Sequence, residues 1–103
     1  MSERQSLEKI VHELQLVSQQ VATIQSQVRE IQGTIEYLTT QDVNRPVFQQ
    51  VGPLLVEVDD LSKLMGELSE TNEHLSNHLS NLQERENELR SSYESLSNEF
   101  EKS

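Results

Sequence analysis

His74 and His78 stand four residues apart, a spacing that puts two imidazoles on one side of a helix and could offer a metal ion two ligands. The chain has no cysteine and no obvious third ligand. The pair therefore reads as solvated helix surface, with Glu70 one turn before His74 offering a weak charge pair. Glu84, Glu86 and Glu88 form an acidic face, but no His, Ser or Lys is placed with them in a plausible pocket, so general acid–base chemistry has no second partner. Nothing here calls for a cofactor, and the chain is not expected to be an enzyme. Leucines at 61, 68, 75, 82, 89 and 96 repeat every seven residues like a zipper, yet no basic arm precedes them. Net charge is -10, from 18 acidic against 8 basic residues, with no cluster of Lys and Arg. Phosphate binding needs a basic footprint, so nucleic acid and an anionic bilayer are both excluded as partners.

What remains is apolar chemistry, and it is concentrated just short of the middle of the chain. Val47 to Val51 and Leu54 to Val58 are two runs rich in β-branched residues on either side of Gly52-Pro53, a turn signal between strands. They predict a β-hairpin over 45–58. A lone hairpin is marginal in water, and this one carries Val47, Phe48, Val51, Leu54, Leu55, Val56 and Val58, more apolar side chain than it can cover by itself. Connectors between paired helices are usually short and polar, so an ordinary linker does not account for this density. The hairpin is expected to associate with other chains.

The flanking segments must hold that hairpin in place. From 2 to 41, apolar residues alternate three and four apart: Leu7, Leu14, Val21, Val28 and Ile35 at heptad position a, and Ile10, Val17, Ile24, Ile31 and Leu38 at d. This is a coiled-coil seam. Ser2 with Gln5 fits a capping box at its start, with Ser6 as a second candidate cap. Asn44-Arg45-Pro46 closes the helix, because the residue before a proline avoids the helical region. A second helix is predicted over 59–102, capped by Asp59 or Asp60. Its d positions are the six leucines, and its a positions read Met65, Asn72, Leu79, Glu86, Tyr93 and Phe100. Polar Asn72 and Glu86 weaken a seam while fixing its register and partner.

Folding the two stripes against each other gives an antiparallel pair, with Leu38 near Leu61 beside the hairpin and Leu7 near Phe100 at the far end. The expected fold class is thus mainly α: one domain over 1–103, an antiparallel two-helix coiled coil joined by a single β-hairpin that assembles with other subunits. With 33% hydrophobic and 4% aromatic residues there is little material for a thick core, which favours an extended or oligomeric form. Met1 to Gln5 lacks the apolar run of a signal peptide and no window is apolar enough to span a membrane, so a soluble, cytoplasmic protein is expected. Near the open end the seam lacks its next heptad and helix ends fray, so Leu7, Ile10, Leu96 and Phe100, widened by Val11, would offer a small apolar surface. The same residues are equally consistent with plain coiled-coil core. A structural scaffold, with helices pairing in long parallel zippers and the hairpin as a break, accounts for the same heptads.

The run Pro46-Val47-Phe48-Gln49-Gln50-Val51-Gly52-Pro53-Leu54-Leu55-Val56 between two helices resembles the beta-type subunits of prefoldin, a hexameric co-chaperone. The likeness covers the whole architecture, but its specific part is about a dozen residues at the hairpin. Phe48 stands for the family's usual Tyr, Gln49 for Lys, and Glu57 where a Lys commonly follows the second strand, so this hairpin is the more acidic. The resemblance implies two alpha-type and four beta-type subunits whose hairpins pool into β-barrels from which the coiled coils hang. It implies that unfolded client proteins are held at the coiled-coil tips and passed to a group II chaperonin, without ATP hydrolysis. Carried over by position, Val47, Phe48, Val51, Gly52, Leu54, Val56 and Val58 make the barrel. Leu7, Ile10, Val11, Leu14, Tyr93, Leu96 and Phe100 meet the client. The same architecture in a specialised complex with narrower clients is also compatible with the residues.

Overall fold

In a computed structural model, which describes residues 2–42 and 44–102, the chain begins with a closed capping box. The Gln5 backbone N–H donates to Ser2 Oγ at 3.2 Å and the Ser2 N–H to Gln5 Oε1 at 3.1 Å. Two otherwise orphaned donors are thereby satisfied, and helix α1 runs from Glu3 to Thr39. Of the two candidate caps, Ser2 is the one used. Helix α1 stops two residues before the expected boundary, where Thr40 takes the C-cap and its N–H bonds back to the carbonyl of Tyr37 at 3.2 Å. Asp42 then shapes the connection by accepting from the Asn44 N–H at 2.9 Å and, through its carbonyl, from the Arg45 N–H at 3.0 Å. Met1 and Ser103, the ends of the expected domain, and Val43 lie outside the described residues.

Strands β1 (Phe48–Val51) and β2 (Leu54–Glu57) pair antiparallel with Val51 opposite Leu54 and Phe48 opposite Glu57. The Val58 N–H donates to the Val47 carbonyl at 2.8 Å, extending the ladder to Val58, the expected end, and to Val47, two residues inside the expected start. Gly52 sits at φ +59° and Pro53 has the negative φ its ring imposes. That combination suits a two-residue type II′ turn, whose first central position favours Gly and whose twist matches the strands. Helix α2 (Leu61–Lys102) follows, and of the two candidate caps it is Asp60 that serves, accepting from the Lys63 N–H at 3.0 Å.

The helices lie antiparallel. Glu13 meets Arg85, Ser18 meets Glu86 and Gln32 meets Asn72, so a step back along α1 is a step forward along α2. All ten a and d residues of α1 are buried or half-buried, as are the six d leucines of α2. Among the described residues only Val21, Leu38 and Leu89 are buried, and none of them completely. A pair of helices has one shared seam and solvent on every other side, so its core is one side chain thick. The radius of gyration is 21.0 Å, against about 13 Å for a globular chain of this length. The accessible surface is 7918 Å², where a folded monomer of 11.9 kDa presents about 5,900 Å². The molecule is a rod, 70 Å in its longest extent.

Candidate functional site

Two regions depart from the covered seam, and they occupy opposite ends of the rod. At the hairpin end, pairing fixes which side chains share a face, since directly opposed residues point the same way and neighbours alternate. Val47, Val51, Leu54, Val56 and Val58 share one face with Gln49 as its polar member. Phe48, Leu55, Gln50 and Glu57 share the other. Every residue of β1 and β2 is exposed, Phe48 at 56%, Leu54 at 64% and Leu55 at 72%. Among the described residues no helix packs on either face, and both outer edges of the two-stranded sheet are unpaired. Such an edge is a template for another strand.

Of the residues expected at the hairpin, the structure thus gathers Val47, Val51, Leu54, Val56 and Val58 on one face. It sets Phe48 on the reverse and Gly52 in the turn. Leu55, counted in the hairpin's apolar content but not among the barrel residues that the resemblance implies, is the most exposed of the large apolar residues described. Its signal was available in Leu54-Leu55-Val56: three consecutive apolar residues cannot all face one way on a strand, and such a run marks a strand covered on both faces.

At the other end the seam thins. Leu7, Ile10, Leu14 and Leu96 are half-buried, while Val11, Tyr93 and Phe100 are exposed. The a positions of α2 therefore lose cover beyond Leu89. Just inside this tip lies a polar band. The Ser18 hydroxyl donates to Glu86 Oε2 at 2.7 Å, and Arg90 approaches Glu86 Oε1 at 3.7 Å. Arg85 bridges Glu13 at 2.9 Å and Glu88 at 3.4 Å. The second polar a residue, Asn72, donates to Gln32 Oε1 at 3.2 Å. Ser18 and Gln32 are both e residues of α1 and lie two heptads apart, as do Glu86 and Asn72. Each polar group set into the seam is thus received by a polar flank of the partner helix. The same register brings Val11 level with Tyr93. The sequence marked Asn72 and Glu86 but not their receivers, because any of the polar e residues of α1 would serve until the register is known.

The remaining candidates carry no site geometry. His74 Nε2 lies 3.9 Å from Glu70 Oε1 with both side chains largely in solvent. Among the described residues no three His, Cys, Asp or Glu gather as a metal would need, and no helix is long and apolar enough to cross a membrane.

A rod of two antiparallel helices with a single hairpin at one end is also what known proteins of this kind look like. The family model described as "Prefoldin subunit" matches residues 3–103. The chain belongs to the prefoldin family. Among prefoldins it is of the beta type. It is 35% identical over 71 residues to the prefoldin subunit beta of Thermoplasma acidophilum, covering 69% of this chain and 57% of that relative's length. It is 30% identical over 92 residues to the prefoldin subunit beta of Thermoplasma volcanium, covering 85% of this chain and 74% of the relative. The crystal structure of the prefoldin beta subunit from Thermococcus strain KS-1 superposes with a TM-score of 0.84 at 27% identity, over 94% of this chain and 84% of that one.

Proposed function

We propose that this chain is a subunit of an ATP-independent molecular chaperone, a hexamer of alpha-type and beta-type prefoldin subunits in the cytoplasm that captures unfolded polypeptides and delivers them to a group II chaperonin. Assembly falls to the hairpin, through Val47, Val51, Leu54, Val56 and Val58 on one face and Phe48 on the other, with Gly52 holding the turn. Client capture falls to Leu7, Ile10, Val11, Leu14, Tyr93, Leu96 and Phe100 at the tip. The observation that carries this reading is the hairpin's exposure: Phe48, Val51, Leu54, Leu55 and Val56 all stand open to solvent beside two free strand edges. Contiguous apolar surface of that kind marks an interaction site. The tip surface is smaller and rimmed by charged side chains, which suits weak capture of many apolar segments.

Mixing the chain with an alpha-type prefoldin subunit tests this. The mixture is expected to form a discrete species near six chains and to suppress aggregation of a denatured client at a near-stoichiometric ratio. A chain that forms a stable dimer, ignores such a partner and leaves the client to aggregate is a structural coiled coil instead.

A further inference from the structure

The hairpin that leaves its apolar faces open is bordered by unbalanced charge. Between residues 42 and 60 stand Asp42, Glu57, Asp59 and Asp60 against Arg45. Two of these carboxylates are engaged locally, Asp42 with the Asn44 N–H and Asp60 with the Lys63 N–H. Glu57 and Asp59 are exposed, and neither takes part in any of the ion pairs among the described residues. With Val58 they line both open clefts at the hairpin's base. One cleft is completed by Arg45, Pro46, Val47 and Leu61, the other by Gln49, Asp60, Lys63, Leu64 and Glu67. The second is the more one-sided, with four carboxylates against one ammonium.

Two copies of this chain meeting through their hairpins bring these borders together. If the free edges of two β2 strands pair antiparallel with Glu57 opposite Leu54, the Cα atoms of the two Glu57 residues lie about 11 Å apart, from the residue rise and strand spacing of a sheet, and their carboxylates, on opposite faces, lie somewhat farther. That separation is well inside the Debye length of about 30 Å at 0.01 M salt and beyond the one of about 8 Å at 0.15 M. Like charges meeting at an interface suppress that pairing, while opposite charges speed and select it.

We infer that the hairpin docks onto a different chain, one whose own hairpin is flanked by lysine or arginine, in preference to a second copy of itself, and that Glu57 and Asp59 are the selecting residues. This rests on the hairpin being the assembly module proposed above and adds the charge its partner must carry.

The full chain is compared with the variant Glu57→Lys/Asp59→Lys by sedimentation equilibrium, each alone and then mixed, at 0.01 M and 0.15 M salt. Circular dichroism checks that both are equally helical. At low salt the mixture is expected to associate about tenfold or more tighter than either chain alone. Raising the salt should weaken the mixed association and strengthen that of the wild-type chain with itself. A mixture no tighter than the wild-type chain alone, or salt dependences of the same sign, overturns the charge selection. The same mixture made with Val47→Asp/Val56→Asp in both chains separates the two claims. Association lost there but indifferent to charge reversal sinks only the selection; association that survives there sinks the hairpin reading and the selection with it.

Discussion

Leu89 and Leu55 are the same side chain in two situations. Leu89 lies in the seam between the helices and is 4% exposed; Leu55 lies on β2 and is 72% exposed. The difference teaches where this molecule is complete. Along the seam as far as Leu89 the apolar residues of one helix are covered, wholly or in part, by the other, so there the chain supplies its own partner. At the hairpin both faces and both edges lack one. A fold that satisfies its long helices internally and leaves a short, dense apolar element open concentrates its need for other chains into that element.

The largest expected effect comes from making the hairpin unfit for burial. Val47→Asp with Val56→Asp places two carboxylates on the more apolar face, where an interface would have to desolvate them. Assembly with an alpha-type partner should be abolished in light scattering while helix content stays within a few per cent by circular dichroism. Surviving assembly would move the interface off the hairpin. Removing residues 1–10 and 94–103 is the converse: the hexamer should form at unchanged mass and lose client holding, and undiminished holding would place the client elsewhere.

Stability mutants sharpen the comparison within the isolated chain. Leu89→Ala should cost about 2–4 kcal/mol in urea unfolding, since it removes buried methyls and leaves a void. Leu55→Ala should change the same measurement by less than about 0.5 kcal/mol. Equal costs would mean that the hairpin is packed in the isolated chain after all. Asn72→Leu should stabilise by about 1 kcal/mol, because Asn72 Oδ1 is buried without a hydrogen-bond partner and leucine fits the seam. The gain should come with looser register, read by disulfide trapping in a chain that has no native cysteine. The smallest effect is expected of Glu13→Gln. Its ion pair with Arg85 is half in solvent, and the loss should be about 0.5 kcal/mol or less and vanish in high salt.

Much of this was legible because the helices obey a strict rule. A period of 3.5 residues held without a break through Leu7 to Leu38 marks a coiled-coil helix, and Gly52-Pro53 between two β-branched runs marks a turn, although the heptads alone left antiparallel and parallel pairing both open. The boundaries were less legible. Thr39 and Thr40 end α1 before the proline does, since Thr40 folds its own N–H back onto Tyr37, a choice that competing polar residues do not advertise. At the hairpin, composition announced the apolar content but not its division. Only the pairing of Val51 with Leu54 separates the face of Val47, Val51, Leu54, Val56 and Val58 from that of Phe48 and Leu55. The receivers Ser18 and Gln32 were invisible for a related reason: flank positions acquire meaning when the register is set in three dimensions.

Amide hydrogen exchange on the chain alone and then in complex with an alpha-type prefoldin subunit tests the central claim most directly. The amides of Phe48 to Glu57 are expected to exchange quickly in the isolated chain and to gain strong protection on mixing, while those of Val17 to Leu38 and Leu61 to Leu89 change little. Protection that appears along the helices and leaves the hairpin unchanged would contradict it, and would make the seam, not the hairpin, the place where other chains attach.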